Sequence, residues 1–204
     1  MENKDEPYQI TAINDLAKNY SPDHFRFAIK QCRDVIANVI AEDNRSHQQI
    51  ARVRILRYLD LQLSRAIRWV EEEADLMALV VRSQIELRFW AEFVSQGPKE
   101  TTQFLNEANI DIRQLHEKME KAFPREVQPL CVPIPGKLIP PERIDEEEEY
   151  NFKLCSKLIH PTSLNLNHPE ETIRNTGYRQ HLATQSLYYG WAIVSRLHDI
   201  VWTT

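Results

Sequence analysis

Two short polar groupings in this chain combine residue types that can bind an anion and move a proton. Arg82 and Glu86 stand four apart in a run that is otherwise largely apolar, and Ser156 stands four before His160, which Pro161 follows directly. A guanidinium holds phosphate or carboxylate through two parallel hydrogen bonds, and an imidazole exchanges protons near neutral pH. Proline restricts the residue before it, so His160 is expected to leave helical geometry for an extended conformation at the end of a helix. Phe152, Ser156 and His160 then form an i, i+4, i+8 ridge, on which His160 can bond Ser156 or a backbone carbonyl, or cap the helix C-terminus.

Arg82 and Glu86 share one side of their helix, beside Phe89 and Phe93. An Arg–Glu pair at the edge of a buried surface must be hydrogen-bonded to offset desolvation, so a polar group from another helix is expected to face it. Such a pair either fixes helix register or forms part of a binding or catalytic site. A further grouping, Arg174, Asn175 and His181, places an arginine and a histidine across the start of the last helix. Nothing in the chain has the spacing of a metal site: there is no HExxH, no ExxH and no clustered Cys and His. There is also no glycine-rich phosphate loop and no GxSxG turn, so no metal or cofactor is expected.

The elements that must position these residues follow from helical periodicity. Ser21 and Pro22 are a helix-start signature ahead of Phe25, Ala28, Ile29, Cys32, Val35, Ile36, Val39 and Ile40, giving a helix over about 22–42. A second, over about 45–71, carries Ile50, Val53, Leu56, Leu59 and Leu63 on one side and arginines on the other. The third, about 73–96, is apolar nearly all round, ends at Gly97-Pro98 and should be the central helix. Shorter helical patterns follow at about 99–108 and 110–123. A proline-rich stretch, about 124–143, is an insertion, because helices flank it on both sides. The acidic run from Asp145 to Glu149 opens a fourth main helix, its charge complementing the helix N-terminus. A final helix runs from about Tyr178 to Trp202.

The 204 residues, 42% of them hydrophobic and only four of them glycine, fit one domain with an N-terminal extension over residues 1–20. The fold class is all-α: an antiparallel bundle of four to five main helices. A net charge of −5 provides no overall footprint for nucleic acid or an anionic membrane, so any nucleic-acid site must be local. Cys32, Cys131 and Cys155 are isolated, which suits a reducing, cytoplasmic setting. No apolar run reaches the ~20 residues needed to cross a bilayer.

Arg82-Ser83-x-x-Glu86 in a hydrophobic helix, with Tyr150 and Ser156-x-x-x-His160-Pro161 much later, resembles an uncharacterised family of bacterial helical proteins related to the HEPN superfamily. The resemblance covers the chain from the first long helix to the last. It implies a helical bundle that dimerises, in toxin–antitoxin, antiphage or RNA-processing systems, with metal-independent ribonuclease activity on RNA. The catalytic signature of that superfamily is an arginine, often followed by asparagine, four to six residues before a histidine. Arg174 and His181 match that spacing at its upper limit with Gly177 between them, whereas the position equivalent to the arginine upstream of His160 is Lys153. The expected site is therefore Arg82 on phosphate, Glu86 orienting it or His160, and His160 transferring a proton, with Ser156 and Lys153 as binding residues and Arg174 with His181 as a second set. The alternative is a non-enzymatic interaction or dimerisation module, with Tyr188, Tyr189, Trp191 and Trp202 as its stripe.

Overall fold

The computed structural model describes residues 13–41, 46–106, 145–160, 170 and 174–198. The second short helix, the proline-rich stretch, Cys131 and Trp202 lie outside the described residues. Within them the chain is helical: α1 (13–18), α2 (Pro22–Ala41), α3 (His47–Trp69), α4 (Ala74–Val94), α5 (98–106), α6 (Glu146–Ile159) and α7 (Thr176–His198).

Local chemistry starts these helices where backbone N–H groups would otherwise lack partners. Ser21 Oγ accepts from the His24 N–H at 3.1 Å, and Ser46 and Gln49 form a reciprocal capping box at α3. Asp145 accepts from the Glu148 N–H at 2.8 Å to begin α6.

Side-chain pairs give the order of packing. Arg33 meets Asp60 and Arg26 meets Glu71, so α2 and α3 run antiparallel. Arg82 meets Ser156 and Arg88 meets Glu148, so α4 and α6 do the same. Arg196 reaches Glu92 at 3.2 Å near one end, while Arg179 donates to the Glu71 carbonyl at 2.8 Å just ahead of α4, so α7 lies parallel to α4. Consecutive long helices thus alternate in direction, and α7 closes the bundle beside the central helix. That central helix is α4, which packs against α3, α6 and α7 and buries Met77, Val80, Val81, Ile85 and Leu87. Each such side chain contributes roughly 1.5–3 kcal/mol when fully removed from water.

Gly190 lets α7 come close to α2 and α3. A Cβ there would sit 3.3 Å from Leu63 Cδ2 and 3.5 Å from Cys32 Sγ. One sequence expectation changes at the N-terminus. The segment 1–20 is not all extension, because α1 lies within it and Leu16 is fully buried in the core.

Candidate functional site

α4 and α6 bring Arg82 to the ridge of Phe152, Ser156 and His160. The Arg82 Nη1 donates to Ser156 Oγ at 3.0 Å and lies 3.4 Å from His160 Nε2. Its Nε donates to Glu86 Oε1 at 3.4 Å, and its Cζ stands 4.6 Å from the Phe152 ring centroid. The guanidinium is therefore held on one edge by a carboxylate, on one face by an aromatic ring, and turned toward a hydroxyl and an imidazole. Antiparallel packing does this: successive turns of α6, read backwards, meet successive turns of α4.

His160 ends α6 in extended geometry, with φ −105° and ψ 153°, and its backbone N–H donates to the Ser156 carbonyl at 3.2 Å. The backbone restraint expected from Pro161 is thus present in the residue ahead of it. Because Arg82 can only donate, hydrogen bonding to His160 Nε2 uses that nitrogen's lone pair and puts the ring proton on Nδ1. A neutral imidazole with an accepting Nε2 beside a guanidinium is the form that a general base requires.

Arg82 and Glu86 retain 27% and 30% of their side-chain exposure. The pair thus stands at the edge of the core, as expected, with Ser156 from α6 as the polar group facing it, and it keeps partial access to solvent. Arg82→Ala is accordingly expected to cost about 1 kcal/mol, as removal of a half-open pair does. Urea denaturation of the variant checks this, and a loss of 3 kcal/mol or more would make Arg82 a structural clamp.

Lys153 pairs with Glu149 on the exposed side of α6 and makes no contact with Arg82. Arg174 and His181 do not come together either. Arg174 reaches Glu170 at 3.8 Å in solvent, just before α7, whereas His181 turns inward and bonds Asn151. A helix start separates their directions: Arg174 precedes the first turn, and His181 lies on the face of α7 that looks toward α6.

Sequence inspection missed a buried polar network between α4, α6 and α7. Glu148 is 3% exposed and takes both the Nε and an Nη of Arg88. Burial pushes its carboxyl up from the ordinary value, and Arg88 partly opposes that. Asn151, fully buried, donates to Gln185 Oε1 at 3.1 Å and to Tyr189 Oη at 3.4 Å, while His181 Nε2 lies 2.8 Å from Asn151 Oδ1. That oxygen can only accept, so His181 carries its proton on Nε2. Gln185 in turn donates to Glu147 at 3.4 Å. The signal was available: Glu148, Asn151, Cys155 and Leu158 recur at i, i+3, i+7 and i+10, an apolar-face spacing that two polar residues occupy. Interpreting the acidic run only through the helix dipole hid this.

Comparison with protein-family models, curated proteins and solved structures finds no match for this chain.

The remaining chemistry-bearing groups narrow what the described residues can do. Burial pushes the Cys155 thiol up to about 12 and raises Cys32 as well, so neither supplies a thiolate nucleophile at neutral pH. No group of three potential metal ligands occurs among the described residues, and none of their helices is long and apolar enough to cross a membrane.

Proposed function

We propose that this chain is a HEPN-like bundle of a bacterial defence or stress system that recognises RNA or nucleotide phosphate at Arg82, Ser156 and His160 and cleaves RNA there without a metal. The cytoplasm is its setting, and a homo-oligomer its assembly. One observation carries the proposal: Arg82 Nη1 lies within 3.0 Å of Ser156 Oγ and 3.4 Å of His160 Nε2. Anion-binding and proton-transfer groups from two helices separated by 74 or more residues converge on one point at the edge of the core.

In this mechanism a phosphodiester oxygen takes the Arg82 Nη1 and the Ser156 hydroxyl as donors, releasing His160 Nε2. His160 accepts the proton of the ribose 2′-hydroxyl, the 2′-oxygen bonds to phosphorus, and the bond from phosphorus to the 5′-oxygen breaks. The products are a 2′,3′-cyclic phosphate and a 5′-hydroxyl, whose proton comes from solvent. Glu86 keeps the guanidinium oriented through Nε. This reading does not use the second set, Arg174 and His181, whose side chains reach Glu170 and Asn151.

His160→Ala is expected to slow cleavage of a mixed RNA by about 10²- to 10⁴-fold in the presence of a metal chelator, the range that a positioned general base supplies. Cleavage that persists unchanged in the variant removes His160 from the mechanism. No cleavage by the wild-type chain removes the nuclease reading altogether.

The second reading, a non-enzymatic interaction module, draws on Tyr150 and Tyr188, which are 57% and 48% exposed on α6 and α7. Tyr189, by contrast, is buried, so the aromatic stripe expected on the last helix is only partly a surface. A monodisperse monomer in light scattering across a wide concentration range would count against this reading.

A further inference from the structure

α3 carries a cationic strip on its solvent side. His47, Ile50, Arg54, Arg57, Tyr58, Leu61, Arg65 and Arg68 are all exposed and, at 100° per residue, fall within an arc of about 100°. No carboxylate lies on that arc. The single acidic residue of α3, Asp60, is on another face, where Arg33 holds it. None of Arg54, Arg57, Arg65 and Arg68 pairs with a carboxylate among the described residues, whereas Arg26, Arg33, Arg82, Arg88, Arg174 and Arg196 all do. In a chain of net charge −5, four arginines along one helix face with no carboxylate partner among the described residues are a local inversion of the overall charge.

Their spacing adds content. Arg54 with Arg57 and Arg65 with Arg68 form two pairs whose midpoints stand about 16 Å apart along the helix, at 1.5 Å per residue. Between them Tyr58 and Leu61 are 41% and 45% exposed, and Arg65 rests on Trp69, its Cζ 5.9 Å from that ring. All four cations are arginines, whose planar forks match phosphate oxygens in pairs. An exposed phenol ring between the pairs presents a π-face for stacking.

We propose that this face of α3 binds single-stranded nucleic acid, the two arginine pairs holding phosphates of the backbone and Tyr58 stacking an unpaired base. Charge complementarity selects a polyanion, and the exposed ring between the cations selects a strand with free bases. A lipid surface fits less well. The apolar arc of α3, with Ile55, Leu56, Leu59, Leu63 and Ala66, is buried inside the bundle, leaving too little apolar surface for insertion among lipid chains. The strip is separate from the Arg82 and His160 grouping and requires no chemistry there.

Fluorescence anisotropy of a short, labelled single-stranded RNA with 2′-O-methyl sugars tests this on the full chain. Such a strand lacks the attacking hydroxyl, so binding is read apart from cleavage. The expected affinity falls with salt at a slope of about −0.7 per phosphate engaged, or about −3 for four arginines. The double variant R57E/R65E is expected to bind at least about 10-fold more weakly with a slope smaller by about 1.4, and Tyr58→Ala roughly 5- to 100-fold more weakly. Lys99→Glu, which changes an exposed cation on α5, should bind as the wild type does.

The proposal is overturned by absence of binding at low salt, by equal weakening from Lys99→Glu, or by unchanged affinity in R57E/R65E. It also falls if polyglutamate competes as well as RNA, which would point to an acidic protein partner. Tighter, strip-dependent binding to anionic lipid vesicles would reassign the face to a membrane. Binding without cleavage of unmodified RNA would leave the strip standing and remove the nuclease reading instead.

Discussion

Arg88→Ala is expected to destabilise the fold by about 3 kcal/mol, the largest loss from any single charged side chain described above. Its partner Glu148 is 3% exposed and takes two hydrogen bonds from the guanidinium, so removing Arg88 leaves a carboxylate inside the protein without its counter-charge. Breaking a buried pair costs more than the pair contributes, because the surviving charge retains its full desolvation penalty. Urea denaturation measures the loss, and its pH dependence identifies the cause. Burial already raises the Glu148 carboxyl above its ordinary value of 4.5, and without Arg88 it rises further. A folded state that holds a proton which the unfolded chain has released loses stability as pH rises through the folded value. The variant should therefore be least stable at alkaline pH and regain part of the loss on acidification. The double variant R88M/E148L, apolar on both sides, is expected to recover most of the stability. A loss below about 1 kcal/mol at every pH would mean that the pair is effectively solvated.

The second large effect is expected at Asn151. Asn151→Ala removes two donated hydrogen bonds and one accepted from His181, leaving polar atoms of Gln185, Tyr189 and His181 without their partner in a buried seam. At roughly 1 kcal/mol for each lost bond, plus the desolvation of groups left unpaired, about 3 kcal/mol follows. Thermal unfolding checks it. The same seam has an acid-side signature in the wild type. Burial lowers His181 from its ordinary value of 6.5, and Glu147 only partly offsets this. The unfolded chain consequently takes up the proton first as pH falls, so stability present above about 6.5 is lost as pH drops through the lower folded value. That component should vanish in His181→Gln, which isolates it from carboxylates that titrate at lower pH.

How far these groups were legible varies with how local their cause is. The extended backbone of His160 is a two-residue effect of Pro161, visible without any tertiary knowledge. The starts of α2 and α3 follow from capping residues, the extent of α4 follows from the 3.6-residue period and the Gly97-Pro98 stop, and the central place of α4 follows from its nearly continuous apolar surface. The position of α6 in the bundle is different. Arg82, Ser156 and His160 were each recognisable as polar residues at the edge of an apolar face. Their meeting depends on the register between helices more than 70 residues apart, which no periodicity in either helix specifies.

The two ion pairs of α4 show the same division. Arg82 and Glu86, four apart on one helix, invite a reading as the buried pair. Arg88 has no such local partner, and its carboxylate arrives from the first turn of α6. Burial is a property of what a neighbouring helix covers: Glu148 is enclosed, and Arg82 with Glu86 remain at the rim. By itself, then, the amino-acid sequence determined an all-helical bundle, its main helices, most of the apolar face of α2 and α4 and the conformation of His160, because these rest on interactions within a few turns of one chain. Ile50, expected on the apolar side of α3, is instead exposed beside its arginines. Only the tertiary structure decided which polar residues share a site, which charges are desolvated and that Arg54, Arg57, Arg65 and Arg68 face solvent with no carboxylate partner among the described residues. Those outcomes depend on antiparallel register and on the surface each helix withdraws from water.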